Sequence, residues 1–183
     1  MVKLADLIVR DLRAYVRSGA GDIMIPNYYV DGYEMDMFKV SERGYVTEYE
    51  VKVSRGDFKA DFKKAPELFE KHKLGSTKHD RVKTGERLCN RFYFVVPQGL
   101  VKPEEVPEYA GLIYYTKAGR IEWMGDFRLV KNARLLHKRT MVDAHYKSIV
   151  ATLMQREERW RWNAYIERRE ALIAFNKLHE KNR

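Results

Sequence analysis

The sequence holds a single cysteine, Cys89, so it has no internal disulfide and no cysteine-based zinc site. A lone small apolar thiol of this kind is expected in the core. The five histidines, His72, His79, His137, His145 and His179, are scattered without zinc-ligand spacing. No apolar run approaches the ~20 residues that a bilayer span requires. The opening Met1-Val2-Lys3-Leu4-Ala5-Asp6 meets Asp6 and then Arg10 before any apolar signal core accumulates, so a cytoplasmic location is expected, with no membrane partner. There is no internal repeat and no low-complexity tract.

What is present is a hydrophobic fraction of 45% in 183 residues, enough for a core and against a disordered chain. One domain, or one domain with an appendage, is the expectation at this length. Lys and Arg number 35 against 26 Asp and Glu, a formal net charge of +9. The excess is uneven. Residues 131–183 hold 13 basic and 6 acidic side chains, whereas residues 1–130 hold 22 and 20. A positive field concentrated in the last third attracts polyanions, and nucleic acid is the first candidate. A solvated basic helix is the plainer alternative.

Helical spacing of Leu4, Leu7, Ile8, Leu12 and Val16 predicts an amphipathic helix over 2–17, ended by Ser18-Gly19-Ala20-Gly21. Residues 22–31, with Pro26, read as a short strand or loop. A β-hairpin is predicted over 33–54, with arms 33–40 and 45–54. Its loop Glu42-Arg43-Gly44 suits a type I turn plus a bulge. That register sets Ser41 opposite Tyr45, Asp36 opposite Glu50 and Glu34 opposite Lys52. A helix over 56–73, broken at Pro66, and a polar loop or short helix over 75–90 follow. Arg91 to Pro97 is a buried strand stopped by proline. A short helix enters at Pro103 within 102–109. Two strands, 111–115 and 120–124, surround Lys117-Ala118-Gly119, and a helix runs from about Thr140 to Leu178. The expected fold class is α/β (α+β): a mixed central sheet flanked by helices over 1–130, with a basic helical C-terminal extension over 131–183.

The second hairpin arm alternates. Tyr49, Val51 and Val53 point one way, and Glu48, Glu50, Lys52 and Ser54 the other. A wet outer face is the ordinary explanation for such a pattern. Against it, Asp36 opposite Glu50 sets like charges together, which needs a compensating cation. A divalent ion such as Mg²⁺ or Mn²⁺ takes carboxylate oxygens and retains waters. Asp36 and Glu50 would be two ligands and the Val51 carbonyl a third. Lys52, on the same strand face, is placed to orient a water and to stabilise developing negative charge. An ion pair of Lys52 with Glu50 alone is the competing reading.

Asp36, thirteen intervening residues, and Glu50-Val51-Lys52 resemble the PD-(D/E)XK nuclease core. The continuation Val53-Ser54-Arg55-Gly56-Asp57-Phe58-Lys59-Ala60-Asp61-Phe62-Lys63 is similar to the MmcB-like DNA-repair branch, as is Asn90-Arg91-Phe92-Tyr93-Phe94-Val95-Val96-Pro97. The resemblance covers about residues 1–130. It departs at Met35, where a proline often precedes the aspartate. It implies a restriction-endonuclease-like fold and a metal-dependent nuclease that cuts DNA in repair, recombination or phage nucleic-acid processing. On that resemblance Asp36 and Glu50 are the metal ligands and Lys52 the catalytic lysine. Glu34, Glu48, Ser54, Asp57 and Asp61 would support them. Asp57 and Asp61 share a helix face, and a helix-start charge and a solvated acid explain them equally well. Arg55, Lys59 and Lys63, with Lys78, His79 and Arg81 of the basic stretch 71–91, are candidate nucleic-acid contacts. Asp6 or Asp11 is a weaker candidate for a further acid.

In the tail, Arg156-Glu157-Glu158-Arg159-Trp160-Arg161-Trp162 suits base stacking. Helical periodicity favours packing or a homodimer through the C-terminal helices instead. A non-catalytic DNA-binding module of the same fold, and a partner-docking interaction protein, are the alternatives to an enzyme.

Overall fold

The computed structural model describes residues 3–16, 19–64, 76–121 and 124–181. The first helix follows its apolar spacing, α1 being Leu4–Tyr15. The strands that follow are β1 (Ile23–Val30), β2 (Tyr33–Val40) and β3 (Val46–Val51). Two short helices come next, α2 (Arg55–Asp61) and α3 (Lys78–Lys83). Then come β4 (Arg91–Pro97), a 3₁₀ turn at Pro103–Glu105, β5 (Ala110–Ile121) and β6 (Met124–Lys131). A 39-residue helix, α4 (Asp143–Lys181), ends the described chain. No helix among the described residues is long and apolar enough to cross a membrane.

The six strands form one mixed sheet in the order β1-β2-β3-β4-β5-β6. β1–β2, β2–β3 and β5–β6 are antiparallel, and β3–β4 and β4–β5 are parallel. The hairpin register is the one expected: Met37 faces Tyr49, Phe38 faces Glu48 and Val40 faces Val46. Its turn is closed by Gly44 N–H donating to the Ser41 carbonyl at 2.8 Å, with Gly44 at φ 78°. That left-handed backbone is open to glycine at no steric cost, which is why the turn falls there.

Each sheet face has its own helices. On one, Ile8 and Leu12 of α1 pack with Met37, Tyr49, Val51, Val95, Ile113 and Tyr115. On the other, Phe58 and Phe62 around α2 and His79 of α3 pack against the rings of Phe92 and Phe94 of β4. Helices on both faces bury a central strand twice over. The polar side of β3 is therefore not a wet face: Glu48 is 0% exposed, Glu50 1% and Lys52 3%.

Several elements differ from expectation. Residues 23–30 are a full strand, which admits Pro26 because β1 is an edge. β3 ends at Val51, so Lys52 to Ser54 lie outside the ladder. The helix expected over 56–73 stops at Asp61, and residues 65–75 lie outside the described ones. Lys117-Ala118-Gly119 is no turn. β5 runs through it to Ile121, and pairing resumes with Met124. The chain divides into two compact units, Met1–Met141 and Val142–Arg183. The extended segment after β6 belongs to the first, held by Asn90, whose side-chain amide donates to the His137 and Arg139 carbonyls at 2.9 and 2.7 Å. In the second unit Trp160 and Trp162 are both exposed. Two residues apart, they point to opposite sides of α4 and do not form one stripe.

Candidate active site

The β2–β3 ladder stops at Met37 and Tyr49. Beyond it the Val51 N–H loses its strand partner on that side and donates instead to Asp36 Oδ2 at 2.7 Å. Asp36 thereby sits beside Glu50 on the face covered by α2 and α3. Burial, and then the Glu50 charge, push the Asp36 carboxyl up to about 6.

Lys52 leaves the end of β3 and turns back along the same face. Its Nζ lies 2.8 Å from Glu50 Oε1, 3.0 Å from Asp61 Oδ1 and 3.8 Å from Asp57 Oδ1. Burial alone would lower its pKa. Glu50 and Asp61 outweigh burial and hold it above the usual lysine range. Lys52 is thus a fixed ammonium, suited to stabilising an anion and unsuited to accepting a proton.

A second ammonium lies deeper. Lys78, 0% exposed, reaches Glu50 Oε2 at 2.6 Å, Glu48 Oε1 at 3.1 Å and Asp61 Oδ2 at 3.9 Å. Glu48 also accepts from Arg87 Nη2 at 3.0 Å. Burial works against the charge on Glu48, but Arg87 and Lys78 together bring its carboxyl down to about 2. Lys64 closes the outer side, 3.3 Å from Glu50 and 3.1 Å from Asp61. Asp61 Oδ2 accepts from His79 Nε2 at 2.7 Å, and His79 Nδ1 meets Tyr109 Oη at 2.9 Å. Four carboxylates (Asp36, Glu48, Glu50 and Asp61) therefore share a space with four cations: Lys52, Lys64, Lys78 and Arg87.

The sequence-predicted residues divide accordingly. Asp36, Glu48, Glu50, Lys52 and Asp61 converge, with Asp57 at the rim. Ser54 instead caps α2, its Oγ accepting the Asp57 N–H at 3.1 Å. Glu34 is exposed, pairs with Tyr29 on the β1 side, and does not reach Lys52. Lys59 and Lys63 are exposed, as nucleic-acid contacts require. Arg55 is exposed too but is ion-paired to Glu105 and donates to the Leu100 carbonyl at 2.8 Å. Lys78, His79 and Arg81 are a correction. All three are buried, with Lys78 spent on carboxylates, His79 on Asp61 and Tyr109, and Arg81 on the Asp31 carbonyl at 3.1 Å. None of the three presents an exposed donor to a strand backbone. Asp80 is likewise no partner of His79. It closes the α3 capping box with Thr77, a pattern readable as Thr77-x-x-Asp80. Asp11 lies on the other face, accepting from Gly125 N–H at 2.9 Å and from Tyr115 Oη at 3.1 Å. Lys64, Arg87 and Tyr109 are members of the cluster that spacing did not indicate.

Among the described residues no group of three or more His, Cys, Asp or Glu side chains could hold a metal. A structural zinc or calcium cage does not fit. Magnesium makes a smaller demand, one or two carboxylates with retained water. Asp36 and Glu50 would supply them, since burial and then the Glu50 charge raise the Asp36 carboxyl, and a dication would offset both.

The sign of that shift is measurable. The Asp36 pKa is raised on folding, so its ionisation weakens the fold as pH climbs from about 3.8 to about 6 and stays unfavourable above that range. Asp36→Asn should stabilise the metal-free protein at pH 7.5 and leave it unchanged below pH 3.8. The gain expected is about 1 kcal/mol, well short of the ~3 kcal/mol of a two-unit shift in a fully buried group, because Asp36 is only half-buried. Urea midpoints of the two proteins across pH check it.

No family model matches this sequence, and no curated protein matches it. Among solved structures the chain is similar to a protein of unknown function from Silicibacter pomeroyi, at 20% identity and a TM-score of 0.51, over 86% of this chain and 85% of that one. At that identity the likeness speaks to the fold.

Proposed function

We propose that this protein hydrolyses phosphodiester bonds of DNA with a divalent cation, Mg²⁺ or Mn²⁺, at Asp36, Glu50 and Lys52. One observation carries the reading: Asp36 and Glu50 lie close enough at the end of the β2–β3 ladder for the Glu50 charge to raise the Asp36 carboxyl, while the Lys52 ammonium is fixed 2.8 Å from Glu50. Asp36 and Glu50 would hold the cation, with the Val51 carbonyl beside them. When bound, the cation supplies a lowered water pKa and charge neutralisation at the scissile phosphate.

The chain's own residues do the rest. Lys52 holds positive charge where the phosphate oxygens gain negative charge, preorganised so that no reorientation is needed during the reaction. Asp61 and Glu50 keep that ammonium in place from two sides. Lys78 and Lys64 hold Glu50. Lys59 and Lys63, exposed on and just after α2, offer charge to the strand backbone.

Thermal unfolding against added Mn²⁺ tests the metal site without an activity assay. Wild type should gain stability with concentration, by about 2.7 kcal/mol at 100 times the dissociation constant. Asp36→Asn should not respond. An equal response from both proteins would place the ion elsewhere.

A second reading has its own observation. The four cluster cations already match the four carboxylates, so the cluster stands electrically closed without a dication. That closure suits a non-catalytic DNA-binding module of the same fold. Under it, Mn²⁺ leaves wild-type stability unchanged.

A further inference from the structure

Tyr109 is the outer end of a buried chain. Lys52 Nζ meets Asp61 Oδ1 at 3.0 Å, Asp61 Oδ2 meets His79 Nε2 at 2.7 Å, and His79 Nδ1 meets Tyr109 Oη at 2.9 Å. The carboxyl of Asp61 is held well below the usual range: burial opposes this, but His79, Lys78 and Lys52 prevail. An ionised carboxylate only accepts, so His79 Nε2 carries the proton toward Asp61. Nδ1, on the other side of the ring, meets the Tyr109 hydroxyl, so both ring nitrogens are engaged. The tyrosine ring is thus locked in position from behind.

The half-buried Tyr109 also forms a wall of a cavity of about 150 Å³, lined besides by Lys83, Glu108, Arg134 and Leu136. A water occupies ~30 Å³ of bulk liquid, so there is room for a tetrahedral oxyanion with its ester arms. The opposite wall is fixed as well. Leu136 N–H donates to the Asn90 carbonyl at 2.9 Å, and the Asn90 amide anchors the carbonyls of His137 and Arg139. Two cations and one acid face the space. Lys83 and Arg134 are exposed and make no ion pair among the described residues, unlike Lys52, Lys64, Lys78 and Arg87. The pocket is therefore preformed, net positive and joined to Lys52 through three side chains.

We infer that Lys83, Arg134 and Tyr109 form a phosphate-binding subsite that holds a second phosphate of the bound strand, away from the bond being cut. The inference rests on the nuclease reading for the identity of the strand and on the pocket alone for its chemistry. Arg134 offers the planar fork that matches phosphate oxygens, and Lys83 a mobile point charge. The rigid Tyr109 wall fixes where the phosphate stops. The subsite sets affinity and register on the strand, while the bond-breaking charge stays at Lys52.

The test is anisotropy of a fluorescein-labelled DNA oligonucleotide in EDTA, between 50 and 200 mM salt. Three proteins are compared: wild type, Lys83→Gln/Arg134→Gln, and Lys3→Gln/Lys117→Gln, which removes equal charge at exposed positions outside the pocket. The pocket pair should bind about tenfold more weakly at 0.1 M salt and lose about 1 to 2 from the slope of log K against log salt. The control pair should stay within about twofold of wild type. Equal losses in both pairs would overturn the subsite, leaving only a general field. Inorganic phosphate, followed at the Tyr109, Ala110 and Leu136 amides by NMR, separates this from the parent reading. If wild type binds no oligonucleotide yet phosphate moves those amides, and the pocket pair shows no movement, the pocket stands for free phosphate and the DNA reading fails. No movement and no binding would overturn the pocket itself.

Discussion

Lys52→Ala should lower metal-dependent DNA cleavage by about 10²- to 10³-fold, the scale of losing one preorganised donor at a developing oxyanion. The loss should fall on kcat, with DNA affinity changed less than threefold, since Lys52 is 3% exposed and contributes little to a strand resting outside. The fold should survive. Glu50 keeps Lys78 at 2.6 Å, and Asp61 keeps Lys64 at 3.1 Å and His79 at 2.7 Å. Single-turnover cleavage beside a binding isotherm checks both halves. A folded variant that cuts at the wild-type rate would remove Lys52 from its assigned role.

The largest effect on stability should come from Lys78→Met. This ammonium is completely buried and serves Glu48, Glu50 and Asp61 together. Removing one partner from a buried ionic cluster leaves uncompensated charge, which costs about 3–5 kcal/mol. For a chain of this size that lowers the melting temperature on the order of 10 °C. The penalty has a pH signature. Glu48 is held at about 2 against an ordinary 4.5, so its contribution is present above about 4.5 and is lost as pH falls toward 2. Without Lys78 the acid is easier to protonate, so the gap between variant and wild type should narrow below pH 4.5. Adding Glu48→Gln to Lys78→Met should recover part of the loss, because the two residues share one ion pair. Calorimetric scans at pH 7 and pH 4 measure each term.

The parts of this molecule written in short-range pattern could be read from the chain. Gly44 after Glu42-Arg43 fixes the hairpin turn, the turn fixes the register, and the register sets Asp36 by Glu50. Strand β4 was equally plain, a continuous apolar run closed by Pro97. β1 was not, because Pro26 and Asn27, the latter at φ 49°, interrupt the alternation that marks a strand, and an edge tolerates both. Lys117-Ala118-Gly119 carries turn-like residues and falls where the β5–β6 register shifts, between the Thr116–Asp126 and Ile121–Met124 pairs, so the chain passes through as an irregularity of the strand rather than as a turn.

The charged cluster shows the same division at the level of chemistry. Glu50 and Lys52 are two apart on one strand, and their pairing follows from alternation. Lys78 meets Glu50 from 28 residues away, and Arg87 meets Glu48 from 39. Nothing in local spacing distinguishes those two cations from their exposed neighbours in the same basic stretch. Only the closing of α3 over the sheet turns Lys78 from a prospective phosphate contact into the buried centre of the site. His79 changes meaning in the same way. Its sequence neighbour Asp80 is taken by the Thr77 capping box, and its partner in space is Asp61.

The proposed function stands or falls on a metal-dependent nuclease site at Asp36, Glu50 and Lys52. The most direct measurement is cleavage of end-labelled single-stranded, double-stranded and branched DNA by the folded wild-type protein in Mg²⁺, Mn²⁺ or EDTA. At least one substrate should be cut with Mg²⁺ or Mn²⁺ and none in EDTA. No cutting of any substrate with either metal, or cutting undiminished by EDTA, would contradict it.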